Sequence, residues 1–186
     1  MKFWNSNLSK MTEYIPGEQP ADIASYIKLN TNESPFPPTQ PVQAALKDAC
    51  NGNLRLYPNP DADELRDEFS RKLGDGFSRS NIFVANGSDE IFTLLFRGFI
   101  EKDGLAAFSY PSYSLYYTMA EANSIPFEKI PTAEDFTIDL APFAKKNYNL
   151  IILCSPNNPT GRTIPAADIA ALAAKTKALI VVDEAY

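Results

Sequence analysis

The apolar positions of this chain change their rhythm as it proceeds. In residues 1–38, Pro16, Pro20, Pro35, Pro37 and Pro38 interrupt every run before a period can form, so the segment is expected to be an irregular arm. From Thr39 the spacing turns helical. The stretch TQPVQAALKDAC begins with a capping threonine and an early proline and is followed by Gly52, which predicts a helix. A second helix is expected from Asp61, where Asp61 and Glu64 stand at capping-box spacing and Gly74 closes the run. Then short apolar runs alternate with amphipathic stretches. IFVA leads to the helix SDEIFTLLFRGFI, LAAF to the helix SYSLYYTMAEAN and on to PFEKI, and NLIILC to the helix PAADIAALAAKT and ALIVVDEAY. Runs such as NLIILC show none of the in-out alternation of a half-solvated strand, as strands covered on both faces require. The helical spacers are long enough for right-handed crossovers. The expected fold class is α/β, a mainly parallel sheet with helices on both faces.

Composition narrows the function classes. At 186 residues, with 45% hydrophobic and 22% charged positions, the chain has enough apolar content to bury a core rather than stay disordered. The net charge is -6, and basic residues occur singly apart from Lys145 and Lys146, so no stripe is available to neutralise a nucleic-acid backbone. No apolar run approaches the roughly 20 residues of a membrane span, and MKFWNSNLSK lacks the apolar stretch of a secretory signal. No membrane partner is therefore expected, and the expected compartment is the cytoplasm. Cys50 and Cys154 do not make a disulfide framework. Histidine is absent, which removes the commonest general base and metal ligand, so proton transfer must fall to a lysine, a carboxylate or a cofactor, and no metal is expected.

In parallel sheets ligands gather beyond the carboxyl ends of the strands, and four unusual clusters fall at such positions. Asn86, Gly87, Ser88 and Asp89 follow IFVA and open a helix, where free N–H groups and the helix dipole favour an anion. The same four residues equally suit a plain Gly-Ser turn with a cap. Tyr113, in YPSY after LAAF, could stack on a flat heteroaromatic ring or serve as core. SPNNPTG, Ser155 to Gly161, brackets two asparagines with prolines, a rigid turn able to aim the Asn158 amide. Asp183 closes ALIVVD, and an acid ending a buried strand needs a cation or several donors, unless it merely caps the next turn. Taken together these residues offer a phosphate cradle, a ring stacker, an amide and a phenol for a ring oxygen, and a carboxylate for a ring nitrogen. That is the inventory of a pyridoxal 5'-phosphate pocket.

In this order, GSD, PSY, SPNNPTG and VVDEAY resemble the type I fold of pyridoxal-phosphate aminotransferases. YIPGEQP, IKLNTNESPFPP and LRLYPNPDADELR resemble the signatures of the histidinol-phosphate aminotransferase branch. The resemblance implies that 1–38 form an N-terminal arm and 39–186 the N-terminal part of a large cofactor-binding domain. It implies that Gly87, Ser88 and Asp89 hold the cofactor phosphate, that Tyr113 stacks on the ring, and that Asn158 and Tyr186 bond its oxygen. Asp183 then pairs with the ring nitrogen. Tyr57 is implied to reach the phosphate of a neighbouring subunit in a homodimer, and Tyr14 and Asn32 to lie near the substrate. The implied reaction moves an amino group between L-histidinol phosphate and 2-oxoglutarate, in histidine biosynthesis forming histidinol phosphate from imidazole acetol phosphate and glutamate. Aromatic amino acid transamination and threonine-phosphate decarboxylation remain alternatives within the branch. In the family the Schiff-base lysine lies beyond the DEAY motif, and no lysine follows Asp183 here. The 186-residue polypeptide by itself is therefore expected to be a fragment that does not turn over, and a non-catalytic remnant is a further alternative.

Overall fold

The computed structural model describes Phe3, Ser9, Met11 and residues 17–30 and 33–186. Tyr14 and Asn32 lie outside the described residues. The chain divides into two compact units, one of Ile15–Val84 and one of Ala85–Tyr186 together with Met1–Tyr14.

In the first unit, α1 runs Gln40–Ala49 behind Thr39 with proline in its first turn, as the sequence predicts, and α2 runs Asp63–Leu73. Gly74 ends α2 at φ 86°, a left-handed setting that suits glycine. The expected capping box at Asp61 does not form, because the N-cap is Ala62, in the left-handed region at φ 50°. Asp61 instead takes part in the preceding turn, its N–H donating to Asn59 Oδ1 at 2.9 Å. Beyond α2 the Arg66 guanidinium donates to the carbonyls of Arg79 (2.8 Å) and Ile82 (2.9 Å). IFVA, expected as a strand, is irregular here. One of its carbonyls is occupied by Arg66, Phe83 is exposed, and no segment pairs with it among the described residues.

The second unit is the layered part. α3 (Gly87–Phe99), β1 (Ala106–Tyr110), α4 (Leu115–Ala122), β2 (Phe127–Pro131), β3 (Leu150–Cys154), α5 (Ala166–Ala173) and β4 (Leu179–Asp183) follow in order. The four strands form one all-parallel sheet in the order β2-β1-β3-β4. Period-two geometry divides β1 and β3 between two cores. Ala106, Phe108, Leu150, Ile152 and Cys154 face α3 and α4, meeting Phe92, Phe96, Tyr116, Tyr117 and Ala120. Ala107, Ile151 and Leu153 face the other way, toward Phe143, Tyr148, Ile164 and Leu172 of α5. All of β3 is buried, which explains its unbroken apolar run. Since α4 and α5 lie on opposite faces, the crossovers β1-α4-β2 and β3-α5-β4 advance in opposite directions if both are right-handed, as the strand order shows they do.

The sheet is pinned at its amino ends by Asn149. Its side-chain oxygen accepts from Leu105 N at 3.0 Å, its N–H donates to Leu105 O at 2.8 Å, and its carbonyl accepts from Leu179 N at 2.9 Å. Gly104 passes so close that a Cβ there would stand 2.7 Å from that side-chain oxygen. Among the described residues no helix is long and apolar enough to cross a membrane.

Candidate functional site

Strand order reverses between β1 and β3, and in open parallel sheets ligands bind beyond the carboxyl ends of the strands at such a reversal. Three expected clusters stand there: the turn after β1, the turn after β3 and the end of β4. Asp183 is the last residue of β4, paired in register with Cys154. Its carboxylate is nearly buried and accepts from the Tyr116 hydroxyl at 2.5 Å and from Ala185 N at 3.2 Å. The second bond caps the following turn, so the ordinary use of an aspartate and the buried, donor-matched acid are both realised here. Burial, and after it the bond to Asp183, pushes the Tyr116 phenol far above the usual tyrosine range, so this hydroxyl keeps its proton and donates.

The turn after β3 is built around Asn157, which is 1% exposed. Its Oδ1 accepts from Ser112 Oγ at 2.7 Å, and its Nδ2 donates to Pro111 O at 3.0 Å and to Thr160 Oγ1 at 2.9 Å. Its backbone bonds to Arg162 O and Gly161 N. Asn157 thus welds the turn after β3 to the turn after β1 across the strand reversal. Ser155 Oγ accepts from Ile164 N at 2.9 Å and closes the loop from below. With its neighbour consumed, Asn158 is left only partly covered, and its Nδ2 donates to the Tyr186 hydroxyl at 2.8 Å. The two residues expected to share one ligand oxygen therefore already meet. Burial pushes the Cys154 thiol up, so it stays a neutral thiol between Asn158 N and Pro156 O.

Tyr113 is half-buried and meets Tyr116 edge-on, ring centres 5.5 Å apart. Tyr113, Tyr116 and Asp183 thus form a continuous chain of contacts. Gly87 opens α3 at φ +72°, and a Cβ there would meet nothing within 4 Å, so the glycine is required by backbone conformation and not by crowding. Ser88 is half-buried and Asp89 exposed in the same first turn. Glu90 reaches back to accept from Asn86 N at 2.6 Å. Tyr57 is fully exposed and belongs to the other unit. Among the described residues no group of histidine, cysteine and acidic side chains could hold a metal ion.

Reading by sequence missed Tyr116, Ser112 and Asn157. Tyr116 sits on the apolar stripe of α4, and its hydroxyl was the available signal, since a phenol that deep needs a partner. A buried acid lacking a cation in the sequence nearby is the complementary signal.

An all-parallel sheet whose polar turns converge where strand order reverses defines an open α/β domain. Residues 24–186 match the family aminotransferase class I and II, and the chain belongs to that family. It is 39% identical over 186 residues to the histidinol-phosphate aminotransferase of Clostridium acetobutylicum, covering 100% of this chain and 52% of that protein. A crystal structure of histidinol-phosphate aminotransferase from Sinorhizobium meliloti in complex with pyridoxal-5'-phosphate superposes with a TM-score of 0.75. That likeness is at 29% identity and covers 83% of this chain and 43% of the other. L-threonine-O-3-phosphate decarboxylase from Porphyromonas gingivalis superposes with a TM-score of 0.65 at 25% identity, covering 80% and 45%. The chain spans about half the length of the curated relatives it matches.

Proposed function

We propose that the protein to which this chain belongs is a pyridoxal-phosphate-dependent aminotransferase, a cytoplasmic homodimer that transfers an amino group between L-histidinol phosphate and 2-oxoglutarate. The observation that carries this reading is the nearly buried Asp183 carboxylate, held by two donors at the end of β4. A buried carboxylate is costly without a cationic partner, and a protonated ring nitrogen bound against it would supply one. The other residues fit the same group. Asn158 and Tyr186 are already joined where a ring oxygen would take both, Tyr113 offers an aromatic face beside Tyr116, and Gly87 opens a helix whose first N–H groups suit a phosphate. The fully exposed Tyr57 suits a contact made outside its own subunit, and Tyr14 and Asn32 are the residues we assign to the substrate.

When bound, pyridoxal phosphate supplies an electron sink for charge that develops at the substrate's α-carbon. The chain's part is to orient that group and keep its ring nitrogen charged. Asp183 would do the second, and Asn158 and Tyr186 would hold the ring edge, with the turn that carries Asn158 braced by Asn157. The choice of histidinol phosphate rests on the relatives named above.

The test compares Asp183→Ala with Glu184→Ala, since Glu184 is exposed and stands beside the expected carboxylate. Loss of a charge-assisted bond removes about 1.5–3 kcal/mol, so Asp183→Ala is expected to weaken pyridoxal phosphate binding at least about tenfold. Glu184→Ala should change it less than about twofold. Equal losses would show that Asp183 does not face the cofactor. Comparing turnover of histidinol phosphate, phenylalanine and threonine phosphate by the full-length protein then decides the substrate.

A further inference from the structure

Tyr116 and Tyr117 are consecutive, both buried, and both spend a hydroxyl inside the protein, but they spend it differently. Tyr117 donates to the backbone carbonyl of Ser109 at 3.1 Å, which is all a buried phenol needs. Tyr116 donates instead to a side chain, Asp183 Oδ2, across 67 residues of sequence. It has no freedom to do otherwise. It is fully buried, with Phe92 edge-on at 5.0 Å, Tyr113 edge-on at 5.5 Å and Phe108 at 5.9 Å. A carboxylate at a strand end turns readily about its last bond, and a single fixed donor stops that rotation. The remaining bond to Oδ1, from Ala185 N at 3.2 Å, is longer and comes from the turn itself.

We propose that Tyr116 is a positioning residue for this site: it holds the Asp183 carboxylate in one orientation and thereby sets the protonation of a heteroaromatic ring nitrogen bound against it. The inference rests on the cofactor reading given above. Titratable groups facing Asp183 are Tyr116 from α4 and Cys154 from β3, and burial keeps both neutral, so neither competes with the ring nitrogen for the negative charge. Removing the hydroxyl acts twice in one direction. The carboxylate loses the orientation that pairs it with the ring, and, with one donor fewer, it competes more strongly for the shared proton. Either way the ring nitrogen becomes less cationic.

The measurement is the nitrogen-15 resonance of ring-labelled pyridoxal phosphate bound to the full-length protein, followed against pH. Tyr116→Phe keeps the ring contacts and removes one oxygen. It is expected to lower the pH at which the ring nitrogen loses its proton by about one unit, a tenfold change, whereas Tyr117→Phe leaves that pH unmoved. In an Asp183→Asn background the Tyr116→Phe shift should vanish. A bound cofactor whose titration is the same with and without the Tyr116 hydroxyl overturns the inference and leaves the cofactor reading standing. Failure of the unsubstituted protein to bind pyridoxal phosphate overturns both. If Tyr116→Phe does not fold, the unsubstituted protein still decides. The hydroxyl proton of Tyr116 should shift when pyridoxal phosphate is replaced by its analogue with carbon in place of the ring nitrogen, and an unmoved resonance overturns the inference.

Discussion

In the turn after β3, Asn157 and Asn158 are chemically identical neighbours that the fold uses in opposite ways. Asn157 makes three side-chain bonds in a buried setting, so Asn157→Ala should lower stability by about 2–4 kcal/mol, read from denaturant unfolding at unchanged slope. Asn158→Ala should change stability by less than about 1 kcal/mol and act on cofactor affinity instead. Nothing in the string SPNNPTG tells the two apart, because which amide is buried depends on Ser112 and Pro111, 45 and 46 residues earlier. The same scale governs response to alkali. Tyr116, Tyr117 and Tyr148 are all pushed up chiefly by burial, Tyr117 to about 12 from an ordinary 10.0. A raised folded-state value gives stability that is complete below pH 10 and lost as pH climbs through the folded value. The share of phenol absorbance that belongs to Tyr116, Tyr117 and Tyr148 should therefore rise in a late, cooperative step that coincides with loss of helical dichroism above pH 10. Gradual ionisation of all nine tyrosines before unfolding would contradict it.

Helices and strands were legible wherever a local rule decides them. The spacing in α1, the capping proline and glycine, and the buried runs of β1 and β3 all depend on residues within one turn or one strand. IFVA failed because a strand is a relation between two segments, and among the described residues no segment completes its ladder. The capping box at Asp61 failed because Asn59 captured the Asp61 N–H first, a choice of turn that spacing alone does not reveal. At the joint between α3 and β1, Gly104 would place a Cβ 2.6 Å from Ile100 Cγ2 and 2.9 Å from Glu101 O. Gly104→Ala is expected to destabilise by about 1–3 kcal/mol through overpacking, measured as a lower denaturant midpoint.

Across the whole molecule the contrast is between a unit that buries its apolar residues and one that displays them. In Ile15–Val84 no residue of α1 or α2 is buried, and Leu46, Leu54, Phe69 and Tyr57 are exposed. If Tyr57 serves a neighbouring subunit, mixing full-length Tyr57→Phe with full-length Asp183→Ala should yield hybrid dimers with one undamaged site, and activity above either parent. No gain on mixing would show that each site is built from one subunit. Asn149, meanwhile, ties the starts of β1, β3 and β4 together, at the end of the sheet opposite the carboxyl-end turns. Five-residue strands span about 13 Å, so Asn149 touches none of the residues assigned to the cofactor. It is nonetheless the zero mark from which all three strands are measured. A slip of one residue there would turn each strand's side chains over and carry Asp183 past Tyr116. Asn149→Ala should accordingly weaken cofactor binding as well as stability. A variant of this kind would be inherited as an error of alignment, a lost activity with no damaged contact at the place where the activity resides.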